Sequence, residues 1–187
     1  ISVGEGIDTA QRDAASSIVA PMQNLVNELY AGDLSRKIRA AFDAKMREGA
    51  CISAFAPYGY RKDPQDKNHL LVDESAGAVV RQIFLLAQEG HSPAQIAAML
   101  NRQGVETPSQ YRYRCNPQLS AGHFRGATEW KAASISKMLR NEVYLGHMLQ
   151  SKSEKLSFKS RACRIKPREE WIVVPHTHEA LVDERVW

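Results

Sequence analysis

One long helical pattern sets the terms for the whole chain. It runs to Glu48, and because proline is welcome only in a helix's first turn, its start is expected between Ser17 and Pro21. Gly49 is the expected stop. From Pro21 onward such a helix spans roughly 42 Å at about 1.5 Å per residue. Ile18, Met22, Leu25 and Leu29 keep a 4-3-4 spacing, which Leu34, Ile38 and Ala41 resume after a slip at Gly32-Asp33. The first half is therefore expected as a packed seam between subunits. In the second half Arg36, Lys37, Arg39, Lys45 and Arg47 outnumber Asp43 and Glu48. A helix apolar early and basic late suits an arm reaching from an oligomeric body to a polyanion. The helix dipole alone is enough to account for Lys45 and Arg47.

Charge points the same way. The net value is only +4, but residues 131–168 hold ten Lys/Arg against Glu142 and Glu154, a local balance of +8. Such asymmetry fits a polyanion contacted by one region. The 187 residues, 43% hydrophobic and 25% charged, are globular in composition and long enough for a real core. No run of about 18 apolar residues predicts a membrane span. Cys51, Cys115 and Cys163 are odd in number and far apart, which argues for a reducing compartment and against a disulfide framework or a C-x-x-C zinc site. The chain opens on Ile1 with no secretory pattern, as a piece of something longer would.

Along the chain, "ISVGEGIDTAQ" reads as a short strand and a Gly-rich turn, and "CISAFAPYGYRKDPQDKN" as a linker. "HLLV" predicts a strand. Asp73 caps a helix whose inner face is Ala76, Val79, Val80, Ile83, Phe84 and Ala87, ended by Gly90. "SPAQ" places Ser92 at an N-cap, Pro93 at N1 and Gln95 at N3, a capping box, with Ile96, Ala97 and Leu100 inward and Gly104 closing the helix. Residues 105–129 read as irregular, being polar and rich in Gly and Pro, with Tyr111, Arg112, Tyr113 and Arg114 alternating ring and guanidinium. After the next helix come the β-prone segments "GHMLQSK", "RACRIK" and "EWIVVP" with a basic turn between them, and a last helix beginning near Asp183. Trp130 and Trp171 are expected as core anchors, and His69, His91, His123 and His147 as surface or cap residues.

Within "KAASISKMLRNEVYLG" (131–146), Ile135, Met138 and Leu139 share one helical face. Ser134, Ser136, Lys137, Arg140 and Asn141 are left outside, and no acid appears before Glu142. Small hydroxyl residues let a helix sink into a major groove while Lys and Arg reach phosphates or guanine edges. A capped helix followed by such a helix is a helix-turn-helix scheme, although the connection is much longer than usual. Cys163, His176 and His178 offer a thiol and a His-x-His, but without a second nearby cysteine no metal is expected, and no cofactor.

An ordered set of motifs resembles the recombinase domain of large serine recombinases, the family of phage integrases and transposon recombinases. The motifs are "PYGY" with Arg61-Lys62, "AGAVVRQIF", "GHSPAQIAAMLNRQGVETPS", Trp130, "ISKMLRNEVYLG", and Trp171 with His178. "ISVGEGIDT" and "DLSRKIRAAFDAKMREG" are similar to the last strand and the long linking helix of that family's catalytic domain. The resemblance implies two parts. Residues 1–49 would be the end of the catalytic domain and the linking helix, and 50–187 the DNA-binding recombinase domain. The expected fold is α+β, a long N-terminal helix before a mainly helical, helix-turn-helix-like domain with a small late sheet or hairpin.

It also implies that Arg36, Lys37 and Arg39 hold phosphates near the scissile bond, and that Tyr58, Tyr60, Arg61 and Lys62 follow the groove unless the Tyr rings tuck onto the core. Ser134, Ser136, Lys137, Arg140 and Asn141 would read bases. Lys152, Lys155, Lys159, Arg161 and Arg164 would grip the backbone beyond. The family's nucleophile setting, Tyr-x-Arg-x-Ser, stands nowhere in the 187 residues, and no zinc-ribbon cysteines are found. The expectation is a chain that binds duplex DNA in a bacterial or phage-derived cytoplasmic setting without cutting it, paired with a second copy in the full-length protein. The competing reading is a non-catalytic helix-turn-helix transcriptional regulator whose Ile18–Leu29 helix dimerises.

Overall fold

Helix α1 spans Ala14–Arg47, so it starts before Pro21 and carries that proline inside. Alanine is the strongest helix former, and Ala14 and Ala15 extend the helix upstream while Pro21 forfeits one N–H donor. The computed structural model describes residues 14–116, 118, 127–156 and 160–187, with the backbone alone for 14–18. The strand expected near the start, most of "SAGHFRGAT" with His123, Lys159 and the Ile18 side chain lie outside the described residues. Gly49, at φ +84°, ends α1 as expected. Its N–H donates to Met46 O, and that of Ala50 to Lys45 O, each at 3.1 Å, which is a Schellman stop.

The stretch read as a linker is an integral part of the body. Tyr60–Lys62 forms β1, paired antiparallel with β2 (Leu70–Val72), Tyr60 opposite Val72 and Lys62 opposite Leu70. Cys51 and Tyr60 are buried in the core. Pro, Gly and Asp here make the turns of a hairpin, with Cys51 and Tyr60 turned inward while Phe55 stays exposed.

Three helices supply nearly half of that core. Helix α2 (Glu74–Gln88) starts at Asp73, whose carboxylate accepts from Ser75 N and Ala76 N, and buries Ala76, Val80, Ile83 and Phe84. Helix α3 (Pro93–Arg102) carries the full capping box between Ser92 and Gln95 and buries Ile96, Ala97 and Leu100. Helix α5 (Ala132–Leu139) buries Ile135 and Met138 and packs mainly on α3. Fully burying one such aliphatic side chain is worth about 1.5–3 kcal/mol.

Between α3 and α5 the irregular reading fails over Pro108–Cys115, which is helix α4. Thr107 and Gln110 form a second capping box with Pro108 at N1, repeating the "SPAQ" pattern as "TPSQ". Thr107 is buried, its hydroxyl donating to Ala127 O at 2.6 Å.

After α5 the chain makes a 3-10 turn at Glu142–Leu145, not a continued helix to the glycine. Gly146, at φ +84°, closes it, and a Cβ there would lie 2.7 Å from His178 O. The late β segments form two separate antiparallel pairs. β3 (Met148–Gln150) joins β6 (Ile172–Val174), and between them β4 (Ser153–Lys155) joins β5 (Cys163–Ile165) in an exposed hairpin. In place of the helix expected from Asp183 there is only a hydrogen-bonded turn, with Val186 N and Trp187 N donating to Asp183 O. The result is α+β, with small antiparallel pairs early as well as late. No described helix is long and apolar enough to cross a membrane.

Candidate nucleic-acid interface

Helix α5 turns its apolar residues inward and its cations outward, as the 3.6-residue period requires. Ile135 is fully buried and Met138 nearly so, with Leu139 packed against the same cluster. Ser134, Ser136 and Asn141 are half-buried, while Lys131, Lys137 and Arg140 are exposed. Neither Lys137 nor Arg140 makes an ion pair among the described residues. The helix is set by a clamp on the residue before its N-cap. Asn101 of α3 accepts from Trp130 N at 2.8 Å and donates to Trp130 O at 3.0 Å. Trp130 Nε1 donates to Val105 O at 2.9 Å, and the ring is buried as expected.

The "PYGYRK" turn divides. Tyr60 is taken out of the surface set: it is 5% exposed, and its hydroxyl lies within bonding distance of Val143 O and Glu179 O. Burial also pushes that hydroxyl's pKa well above the usual tyrosine value. Tyr58 is half-buried, edge-on to Tyr111 at 5.6 Å and to Trp130 at 5.8 Å. Gly59, at φ +96°, permits the turn, since a Cβ would sit 2.8 Å from Leu181 Cδ1. Arg61 is exposed, while Lys62 Nζ donates to Cys51 O at 3.3 Å.

The basic hairpin is less free than its charge count implies. Arg164 is held by Glu154 at 2.9 Å and Glu170 at 3.0 Å, and Lys166 by Glu154 at 3.6 Å. Arg168 pairs with Glu142, and Lys152 lies 5.0 Å above the half-buried Trp171 ring. Lys155 and Arg161 are exposed near the tip. On α1, Asp33 draws Lys37 to 2.9 Å and Arg36 to 3.5 Å, and the Lys37 ammonium holds its carboxyl below the usual carboxylate range. Arg39 is exposed and faces the groove between α1 and β4.

A residue absent from the sequence reading fixes α1 to the domain. Gln150 donates from Nε2 to Ala50 O at 2.7 Å, and its Oε1 accepts from Ile52 N at 3.1 Å. Gly49 completes the joint, its Cβ position 2.6 Å from Thr177 Cγ2. No local pattern marks such a long-range contact. Arg112, named only within the Tyr/Arg alternation of a segment expected to be irregular, stands on α4.

No cluster of His, Cys, Asp and Glu that could hold a metal is found among the described residues. Cys163 is exposed on β5. His178 is buried, donating from Nε2 to Val143 O at 2.8 Å and accepting at Nδ1 from Thr177 Oγ1 at 2.8 Å. Residues 74–187 match the model of the protein family described as Recombinase. No solved structure matches the chain.

Proposed function

The chain belongs to the Recombinase family, and from that premise we propose that it is the duplex-recognising part of a site-specific serine recombinase, acting in integration, excision or transposition of a mobile element. One observation carries the reading: the exposed face of α5. Lys137 and Arg140 project from a helix whose inner side is locked by Ile135 and Met138, and no described carboxylate neutralises them. A rigid helix with unspent cations and flanking small hydroxyls is suited to base edges in a major groove. Arg39, Lys155 and Arg161 lie on the elements that would follow the flanking backbone. Such phosphate contacts fix register and make binding salt-dependent.

The chain binds without cutting, since the nucleophile setting expected of the family is not among its residues. Self-association runs along α1, where Met22, Leu25 and Leu29 are 62%, 57% and 64% exposed, an apolar row left uncovered within the chain.

Selection of random duplexes by the purified chain tests this directly. The expected outcome is enrichment of one common sequence, protected from nuclease over a continuous footprint, with supercoiled plasmid left unnicked. Failure to retain any duplex at low salt overturns the reading.

A further inference from the structure

Between the 54–62 segment and α4 lies a cavity of about 360 Å³ that the base-reading face of α5 does not use. Its walls bring together residues from two elements far apart in sequence. From one side come Phe55, Tyr58 and Arg61, and from the other Tyr111, Arg112 and Asn116. The Arg112 guanidinium lies 4.7 Å over the Phe55 ring, and its N–H edges meet no acceptor among the described residues. Arg61 has no ion-pair partner among the described residues.

Among the described residues lining the cavity the only carboxylate is Asp73, and its charge is consumed where it stands. It accepts from Tyr111 OH at 2.7 Å, from Ser75 Oγ at 2.8 Å and from two backbone N–H groups at the start of α2. Lys62 is turned back onto Cys51 O. What remains is a cleft with a guanidinium on each wall that no described carboxylate engages, and aromatic rings between them. That chemistry fits a phosphodiester backbone, with guanidinium on phosphate oxygens and rings against the deoxyribose.

The cleft also adjoins α5. Tyr58 packs edge-on against Tyr111 inside the cleft and against Trp130, the residue before Lys131 at the α5 N-cap. We infer that Arg61 and Arg112 grip phosphates of one DNA strand immediately beside the α5 footprint, making α4 a DNA-binding wall. This rests on the reading that the chain binds duplex DNA.

The test uses the whole chain and a duplex selected by the unaltered protein, with the dissociation constant followed against salt. Arg112→Ala and Arg61→Ala should each flatten the log–log salt slope by about 0.9, the signature of one lost phosphate contact. Arg112→Lys should restore most of the slope. Unaltered melting temperatures would show that the exposed substitutions leave the fold intact. In a Cys163→Ser background, a hydroxyl-radical-generating iron chelate on the exposed Cys115, which lines the cleft, should cut one strand at a short run of positions flanking the α5 footprint. Wild-type slope in Arg112→Ala, or dispersed cutting of both strands, overturns the cleft while leaving DNA binding intact. An unaltered chain that binds no duplex overturns both.

Discussion

The carboxamide of Asn101 pairs with the main chain of Trp130 in both directions, at 2.8 and 3.0 Å, and so ties the end of α3 to the residue two before α5. Trp130 is 3% exposed, and both of its backbone groups find their partner in the side chain of the exposed Asn101. Removing the amide leaves one donor and one acceptor of the Trp130 main chain without their protein partner. Asn101→Ala should cost about 1–3 kcal/mol, read as a lower urea midpoint with an unchanged slope. Asn101→Asp should fare no better, because its carboxylate meets Trp130 O. A midpoint equal to that of the unaltered chain would mean that α5 is set by apolar packing alone.

His178 makes stability pH-dependent. Burial lowers its pKa, against the bond to Val143 O, which raises it, while His69 and His147 nearby lower it further. In the unfolded chain an imidazole titrates near about 6.5. Above that pH both states are neutral and the group contributes no slope. As pH falls through about 6.5 the unfolded state takes up its proton first, so stability falls until the depressed folded pKa is passed. Urea midpoints at pH values from about 8 to 5 should show this loss, and His178→Gln should lack the part due to this ring. Matching profiles for the two proteins would assign the loss to other groups.

Local signals in the sequence carried far in the helices and less far elsewhere. Asp73, Ser92 and Gly49 mark helix ends because caps and stops depend on neighbours in sequence, and all three act as expected. The same logic, applied at Thr107 and Gln110, marks α4; the polar surface of that helix hid it, since it buries no residue fully. Tyr60 reads as a groove-following aromatic until the hairpin register brings it under Val143 and Glu179, 83 and 119 residues away. Charge runs have the same weakness. Arg164 and Arg161 look alike in a composition count, yet only the fold reveals that Glu170 arrives beside Arg164.

On α5, Lys137 and Arg140 have different consequences depending on what they touch. A base-edge contact is worth about 1–3 kcal/mol of discrimination, whereas a phosphate contact weakens all sequences alike and flattens the salt slope by about 0.9. Lys137→Ala and Arg140→Ala should narrow the gap between the selected duplex and a scrambled one, with at least one of them leaving the salt slope nearly intact. Loss of affinity that is equal on both duplexes would demote α5 from reader to backbone clamp.

The β4–β5 hairpin gives the sharpest contrast between counted and available charge. Arg164 sits between Glu154 at 2.9 Å and Glu170 at 3.0 Å, so a phosphate would have to compete with two carboxylates already in place. Arg161 and Lys155 are exposed on the same hairpin with no ion pair among the described residues. Arg161→Ala and Lys155→Ala should therefore each reduce the salt slope by about 0.9, and Arg164→Ala by clearly less. Because exposed ion pairs contribute only about 0–1 kcal/mol, Arg164→Ala should also leave the melting temperature almost unmoved, which separates lost hairpin order from a lost DNA contact. Equal slope changes for Arg164 and Arg161 would mean that DNA displaces Glu154 and Glu170 on binding, and then Glu170→Gln should tighten the complex.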